Sequence, residues 1–264
     1  MKKTFNTARA YWQFQRTVRR VNRYLRTKDE DVFLKTVLVT SASRHTIIQR
    51  DKILWRAQLG HEWEAITADD EVIDEVPRQY PPKRMLPLPD SASEGRANPK
   101  GIPYVYLATD RDTALSEVRP WVGSLISVGA FKALRELKVV NCAVHKGPNT
   151  RILLKEPPPA ERELLVWADI DRAFSQPVTP NDKTADYVPT QIIAEQFKVA
   201  GFDGVAYNSA FGKGVNVALF DVAAVELLSC HLYEAKSLTF EFKETANAYY
   251  VRNHHNTSRT NNSA

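Results

Sequence analysis

Short apolar runs set between helix-patterned segments restrict the fold of this chain more than any other feature. ILWRAQLG from Ile53, IPYVYLA from Ile102, LISVGAF from Leu125, LKVVNCAV from Leu137, GVAYN from Gly204 and NVALF from Asn216 are apolar, and most are rich in β-branched or aromatic residues. They are too short for core helices and read as strands. PPAERELLVWADIDRAF and TQIIAEQFKVA instead carry apolar residues at three-and-four spacing and open with helix-start signals. DRDTALSEVRPW offers Asp110 and Asp112 as N-caps and stops towards Pro120, whose ring removes a backbone donor. Strands and helices mixed in this way, with no internal repeat, imply an α+β fold. A strand followed at once by a capped helix is a good place to build a site.

The chain before Ile53 has a different texture. Tyr11, Phe14, Val18, Val21 and Leu25 follow an amphipathic helical stripe, which predicts a helix from about Thr7 to Arg26. DEDVFLKTVLVTSASR predicts a second helix, with Asp29 as its cap and Glu30 and Asp31 where the helix dipole favours carboxylates. Residues 1–52 therefore read as a helical, basic extension and 53–243 as the main domain, its first strand closed by Gly60. Residues 244–264 read as a polar tail with little to anchor it, in which the neighbouring His254 and His255 are exposed polar groups. Val76–Pro99, dense in proline, serine and charge, reads as one long surface loop of the kind that often forms a lid.

Charge is unevenly placed. The 264 residues carry a formal +5, yet nine lysines and arginines precede the first carboxylate, Asp29. Such a block suits nucleic acid or an acidic partner, and equally a solvated helix face; the apolar stripe beside it suits a helix that covers the main domain. Hydrophobic residues at 43% place the chain among folded globular proteins. No apolar stretch has the length of a signal core or a membrane span. Cys142 and Cys230 are isolated, form no metal knuckle and fit buried thiols in a reducing compartment, so a cytoplasmic location is expected.

Several chemistries lack their motif. GKGVN around Lys213 is not a phosphate loop, HEWEA at His61 has Ala65 where a zinc helix needs its second histidine, and neither a GxSxG elbow nor a Rossmann fingerprint occurs. No metal is expected.

What the sequence does offer is a set of functional polar residues in apolar, structured surroundings: Arg56 in ILWRAQ, Arg96 and Tyr106 in GRANPKGIPYVYLA, Glu117 in TALSEV, and Ser209 and Asn216 in DGVAYNSAFGKGVNVALF. Together these segments resemble the RES domain family, named for Arg, Glu and Ser, over about Ile53 to Phe220. The resemblance implies an ADP-ribosyltransferase-like fold in which a split pair of small sheets grips NAD. The implied activity cleaves the nicotinamide–ribose bond by hydrolysis or phosphorolysis and depletes cellular NAD. It further implies a toxin held by an antitoxin with a helix-turn-helix domain, with homo-oligomers among the assemblies that complex allows. NAD is then substrate, with no separate cofactor, and the catalytic domain is not expected to bind nucleic acid.

The residue types suit that chemistry. Arginine forks bind phosphate oxygens bidentately, which makes Arg56 and Arg96 the expected NAD contacts, although Arg96 on its loop also reads as solvated. An oxocarbenium-like transition state needs a carboxylate, the part expected of Glu117; a surface glutamate paired with Arg111 or Arg119 is the plainer reading. Tyr106 would stack on nicotinamide or simply pack beside Tyr104. Ser209 is expected to orient the nicotinamide amide or a ribose hydroxyl, with the FGKG glycines letting a ligand come close; no histidine lies near it in sequence, though His145 or His231 could approach in space. Asn216 is expected to pin its loop through backbone groups, and Gln191 to join the network or be a first-turn polar residue. Two other functions remain open: transfer of ADP-ribose to a protein or nucleic acid, and a nuclease or binding module working through the basic helix.

Overall fold

The computed structural model describes residues 4–88, 92–143, 155–176, 184–242 and 244. The strands are β1 (His45–Ile48), β2 (Ile53–Leu59), β3 (Glu62–Ala68), β4 (Glu71–Arg78), β5 (Val105–Ala108), β6 (Leu125–Ala133), β7 (Leu137–Asn141), β8 (Gly204–Asn208), β9 (Val215–Leu219) and β10 (Val225–Glu234). The helices are α1 (Ala10–Arg20), α2 (Lys28–Ser41), α3 (Pro82–Met85), α4 (Arg111–Glu117), α5 (Pro159–Ser175) and α6 (Val188–Val199). The fold is α+β. Eight strands make one mixed sheet in the order β1-β7-β8-β9-β5-β2-β6-β10, antiparallel except for β7–β8, while β3 and β4 pair only with each other.

The sheet is nearly two. β2 pairs with β6 along its whole length from Ile53 to Leu59, and β5 with β9 from Val105 to Ala108, but β2 and β5 meet at a single pair, Trp55 with Ala108. The expected split is this parting, and α4 packs against both of its lips.

One face of the sheet is covered by α1, α2, α5 and α6, whose Phe14, Phe33, Val37, Trp167, Ile193 and Phe197 share a core with Val140, Val205 and Ala218. A second cluster, with Leu54, Met85, Phe131 and Leu219, lies in the other layer. Trp167 Nε1 donates to Thr40 Oγ1 at 3.0 Å, so the polar edge of that buried ring is satisfied where α5 meets α2.

The amino-terminal region departs from expectation in three ways. α1 stops at Arg20: Val21 N–H still makes the helical bond to Thr17 O, but Asn22 N–H turns back to the same carbonyl instead of the next one, and Val21 and Leu25 leave the stripe and stand exposed. α2 is capped by Thr27, not Asp29: the Glu30 carboxylate accepts from Thr27 N–H at 2.8 Å and from its hydroxyl at 2.5 Å, closing a capping box. Residues 45–48, read as helical extension, are strand β1 on the edge of the main sheet.

Elsewhere, the segment expected as one loop from Val76 begins as the end of β4 and later contains α3. Pro77 is tolerated in β4 because that hairpin has no neighbour to demand its missing donor. β10 carried no clear alternation, its register slipping between Leu227 and Ser229. Cys142 is buried and Cys230 partly so. His145 and residues 245–264, with His254 and His255, lie outside the described residues. Among the described residues, no helix is long and apolar enough to cross a membrane.

Candidate active site at the parting of the sheet

Of the two candidate caps, Asp110 starts α4, its Oδ1 accepting from Thr113 N at 2.8 Å. The helix is seven residues long and delivers Glu117 at its far end. The loop joining β8 to β9 folds onto the helix start: Gly214 N donates to Thr113 Oγ1 at 2.9 Å, and Val215 N to Thr109 Oγ1 at 3.0 Å. A Cβ on Gly214 would collide with Asp110 Oδ2, so glycine is required there. The glycines of FGKG thus let this loop approach α4, a use that differs from the ligand access expected of them.

That approach brings three of the expected residues together. Glu117 Oε1 accepts from Ser209 Oγ at 2.5 Å and from Asn216 Nδ2 at 2.6 Å. Ser209 Oγ in turn accepts from Phe211 N at 3.1 Å and Gly212 N at 2.9 Å, so its proton and both lone pairs are committed. The hydroxyl orients a carboxylate. Asn216, expected to hold backbone, also holds that carboxylate from buried strand β9, where it stands between Ala108 and Tyr207 in the pairing. Glu117 Oε2 accepts no hydrogen bond from the described residues. The ion pair weighed between Glu117 and Arg111 or Arg119 is not formed: Arg111 lies against Asp112 and Tyr233, and Arg119 over Phe211.

A cleft of about 270 Å³ opens at this point, lined by Trp55, Arg56, Tyr106, Glu117, Tyr207 and Asn216 among others. Arg56 comes from β2, on the opposite lip from Tyr106. Its Nη1 donates to Tyr106 O at 3.2 Å, its Nε is buried with no partner, and no carboxylate pairs with it among the described residues. Burial pulls its pKa below the ordinary arginine value, yet a guanidinium stays charged, so this cation is left short of an anion.

Tyr106 offers its ring, not its proton. Its hydroxyl donates to Asn98 Oδ1 at 2.7 Å and accepts from Ala97 N at 2.9 Å, and burial pushes its pKa up, as it does that of Tyr207. Neither phenol is a proton donor of ordinary acidity.

Arg96 is absent from the cleft lining. Its Nη1 donates to Ala173 O near the end of α5 at 3.0 Å, and its guanidinium lies 5.3 Å from the centre of the Tyr187 ring. The loop carrying it is tightly fixed. Asn98 Nδ2 donates to the carbonyls of Ser93, Pro99 and Ile102, and buried Gln191 donates to Gly95 O and Asn98 O, both at 3.0 Å. Gln191 joins the network as a brace of that loop.

The RES domain family matches residues 53–242, well over half of the sequence. The chain belongs to the RES domain family. Among solved structures, it is similar to a chain of the M. tuberculosis MbcT–MbcA toxin–antitoxin complex at 13% identity and a TM-score of 0.42, covering 75% of this chain and 92% of that one. No curated protein matches the sequence.

In this RES protein Glu117 and Ser209 touch, and three polar residues that sequence reasoning did not single out lie around them. Asn98 was missed although its Asn-Pro step signals a turn. Tyr207 was missed because a tyrosine in GVAYN looks like any core strand residue. Asp171 was missed as one more helix carboxylate; it is buried, accepts from Asn208 N at 3.1 Å and Asn208 Nδ2 at 2.7 Å, and so fixes the residue before Ser209.

Proposed function

We propose that this chain cleaves NAD between nicotinamide and ribose, as a toxin of a toxin–antitoxin pair. The observation that supports this reading best is a carboxylate held by two donors in the same cleft as a part-buried arginine that has no carboxylate partner among the described residues. Membership of the RES domain family supports the choice of NAD as substrate.

As the glycosidic C–N bond breaks, its electron pair leaves with neutral nicotinamide and positive charge develops on the ribose. Glu117, fixed before the substrate arrives, stabilises that charge without reorganising. Water or phosphate then attacks the anomeric carbon and loses a proton. Arg56 answers one phosphate of the substrate and ends its own shortage of an anion; Arg96, on the braced loop, is the second proposed phosphate contact. Tyr106 and Tyr207 form the aromatic wall for the planar ring. Ser209 and Asn216 act as positioning residues for Glu117. An antitoxin with a helix-turn-helix domain is the proposed regulator.

The purified chain incubated with NAD should release free nicotinamide, and comparison of phosphate-free with phosphate buffer identifies the acceptor by whether ADP-ribose or its 1-phosphate accumulates. Absence of nicotinamide in both buffers overturns the reading. Release that needs an added protein or nucleic acid replaces it with ADP-ribosyl transfer.

A further inference from the structure

Two segments outside the cleft carry opposite charge and bare apolar side chains. The first is the β3–β4 hairpin. Asp69 and Asp70 make its tight turn with φ of 52° and 65°, and Glu71, Asp74 and Glu75 follow directly. Among the described residues none of these five carboxylates has an ion-pair partner, and with Glu62 and Glu64 the span 62–78 holds seven acids against one cation, Arg78. Nearly every residue of both strands is exposed, including Trp63 at 60% and Ile73 at 64%. A two-stranded hairpin without packing on either face is marginal in water.

The second is the connector between α1 and α2. Every residue from Arg20 to Asp29 is exposed, Tyr24 at 86% and Leu25 at 82%. Arg20, Arg23, Arg26 and Lys28 alternate with Val21, Tyr24 and Leu25, and among the described residues Arg26 is the one of these four cations with an ion pair, to Asp31. Because both segments are bare in the same molecule, they do not cover one another within it.

We propose that two copies of this chain associate reciprocally, the basic connector of each seated on the acidic hairpin of the other. The charges are opposite in sign, and each segment sets large apolar side chains among them: Val21, Tyr24 and Leu25 on one, Trp63, Ile66, Val72 and Ile73 on the other. Reciprocal contact forms two such pairs around a two-fold axis and closes the assembly, whereas a single head-to-tail contact would leave open ends. Pairing of exposed charges is screened, so the dimer weakens as salt approaches about 1 M, where the screening length is roughly 3 Å.

Light scattering coupled to size-exclusion chromatography tests this on the full chain. The wild type runs as a dimer at low salt and tens of micromolar protein and shifts to monomer at high salt. A chain with Arg20→Glu, Arg23→Glu and Lys28→Glu is monomeric, as is one with Glu71→Lys, Asp74→Lys and Glu75→Lys. Mixed in equal amounts they form a dimer, because each then offers the other both complementary pairs. If circular dichroism shows a triple variant unfolded, Arg23→Glu and Glu75→Lys replace the triples. A wild type that is monomeric at low salt, or folded variants that stay monomeric when mixed, overturns the proposal.

Discussion

Glu117 is held by two side chains whose loss should be felt differently from its own. Glu117→Gln keeps size and one acceptor but removes the charge an oxocarbenium ion needs, and should lower kcat for nicotinamide release by roughly 10²–10³-fold, the range for losing one preorganised electrostatic contact. Ser209→Ala leaves the charge and removes one hydrogen bond to it, worth about 1.5–3 kcal/mol, so kcat should fall roughly 10- to 100-fold with KM little changed. Equal KM elevation and unchanged kcat in Ser209→Ala would instead mark it as a substrate contact. Arg56 behaves in the opposite sense: Arg56→Met should raise KM for NAD at least tenfold while thermal stability changes little, since the part-buried guanidinium makes one hydrogen bond, to Tyr106 O, and no ion pair among the described residues. A melting temperature that drops sharply would show that Arg56 is structural. At this scale the sequence was informative where chemistry dictates residue type, as for Glu117 and Arg56. It was uninformative about hydrogen-bond partners, so Asn216 looked like a loop pin when it is a carboxylate donor 99 positions from its acceptor.

Elements position these residues through a few buried polar braces. Gln191, on α6, reaches the carbonyls of Gly95 and Asn98, and Asn98 receives the Tyr106 hydroxyl, so one helix fixes both the Arg96 loop and the cleft wall. Gln191→Ala strands two buried carbonyls, at about 1–3 kcal/mol for each unsatisfied group. The urea midpoint should fall and KM for NAD rise, with kcat preserved; an unchanged KM would detach Arg96 from substrate. Asp171, on α5, braces the other side by binding Asn208. Burial is the largest influence on it and raises its pKa above the ordinary 3.8, although Asn208 and Ser175 pull the other way. A carboxyl raised on folding binds its proton more tightly in the native state, so its contribution to stability is greatest at acid pH and falls as pH rises from the unfolded value through the native one. Asp171→Asn should therefore flatten that pH dependence, measured by urea unfolding across pH, while it keeps a single acceptor for the two Asn208 donors. The sequence disclosed α5 and α6 by their period, but an alternation of surface and core cannot show which polar residue on a helix turns inward. The exposed β3–β4 hairpin escaped notice for the converse reason, having no buried face to imprint a period.

For the whole molecule the question is where the folding unit begins. The family match starts at Ile53, and the change of texture there invites a boundary. Packing argues otherwise. β1 pairs with β7 from His45 to Ile48, Asn141 N donates to Arg44 O at 2.7 Å, and the Arg44 guanidinium lies 5.0 Å from the Trp167 ring centre. Phe5, Tyr11, Phe14, Phe33, Leu34 and Val37 are buried in the same cluster as Trp167, Ile193 and Phe197. Each fully buried side chain of this kind contributes about 1.5–3 kcal/mol, so the six together rival the roughly 5–15 kcal/mol by which a whole domain is stable. A chain beginning at Ile53 would also leave Trp167 and Phe197 facing water and the edge of β7 unpaired, an invitation to aggregate. It should fail to give a soluble, cooperatively unfolding protein, whereas the full chain should show one transition by circular dichroism and calorimetry. A truncated chain that melts cooperatively near the full-length temperature would establish the extension as a separate unit. The absence of such a transition would make it part of the catalytic fold, because the covering helices and β1 then complete the face of the sheet on which β8, β9 and the cleft depend.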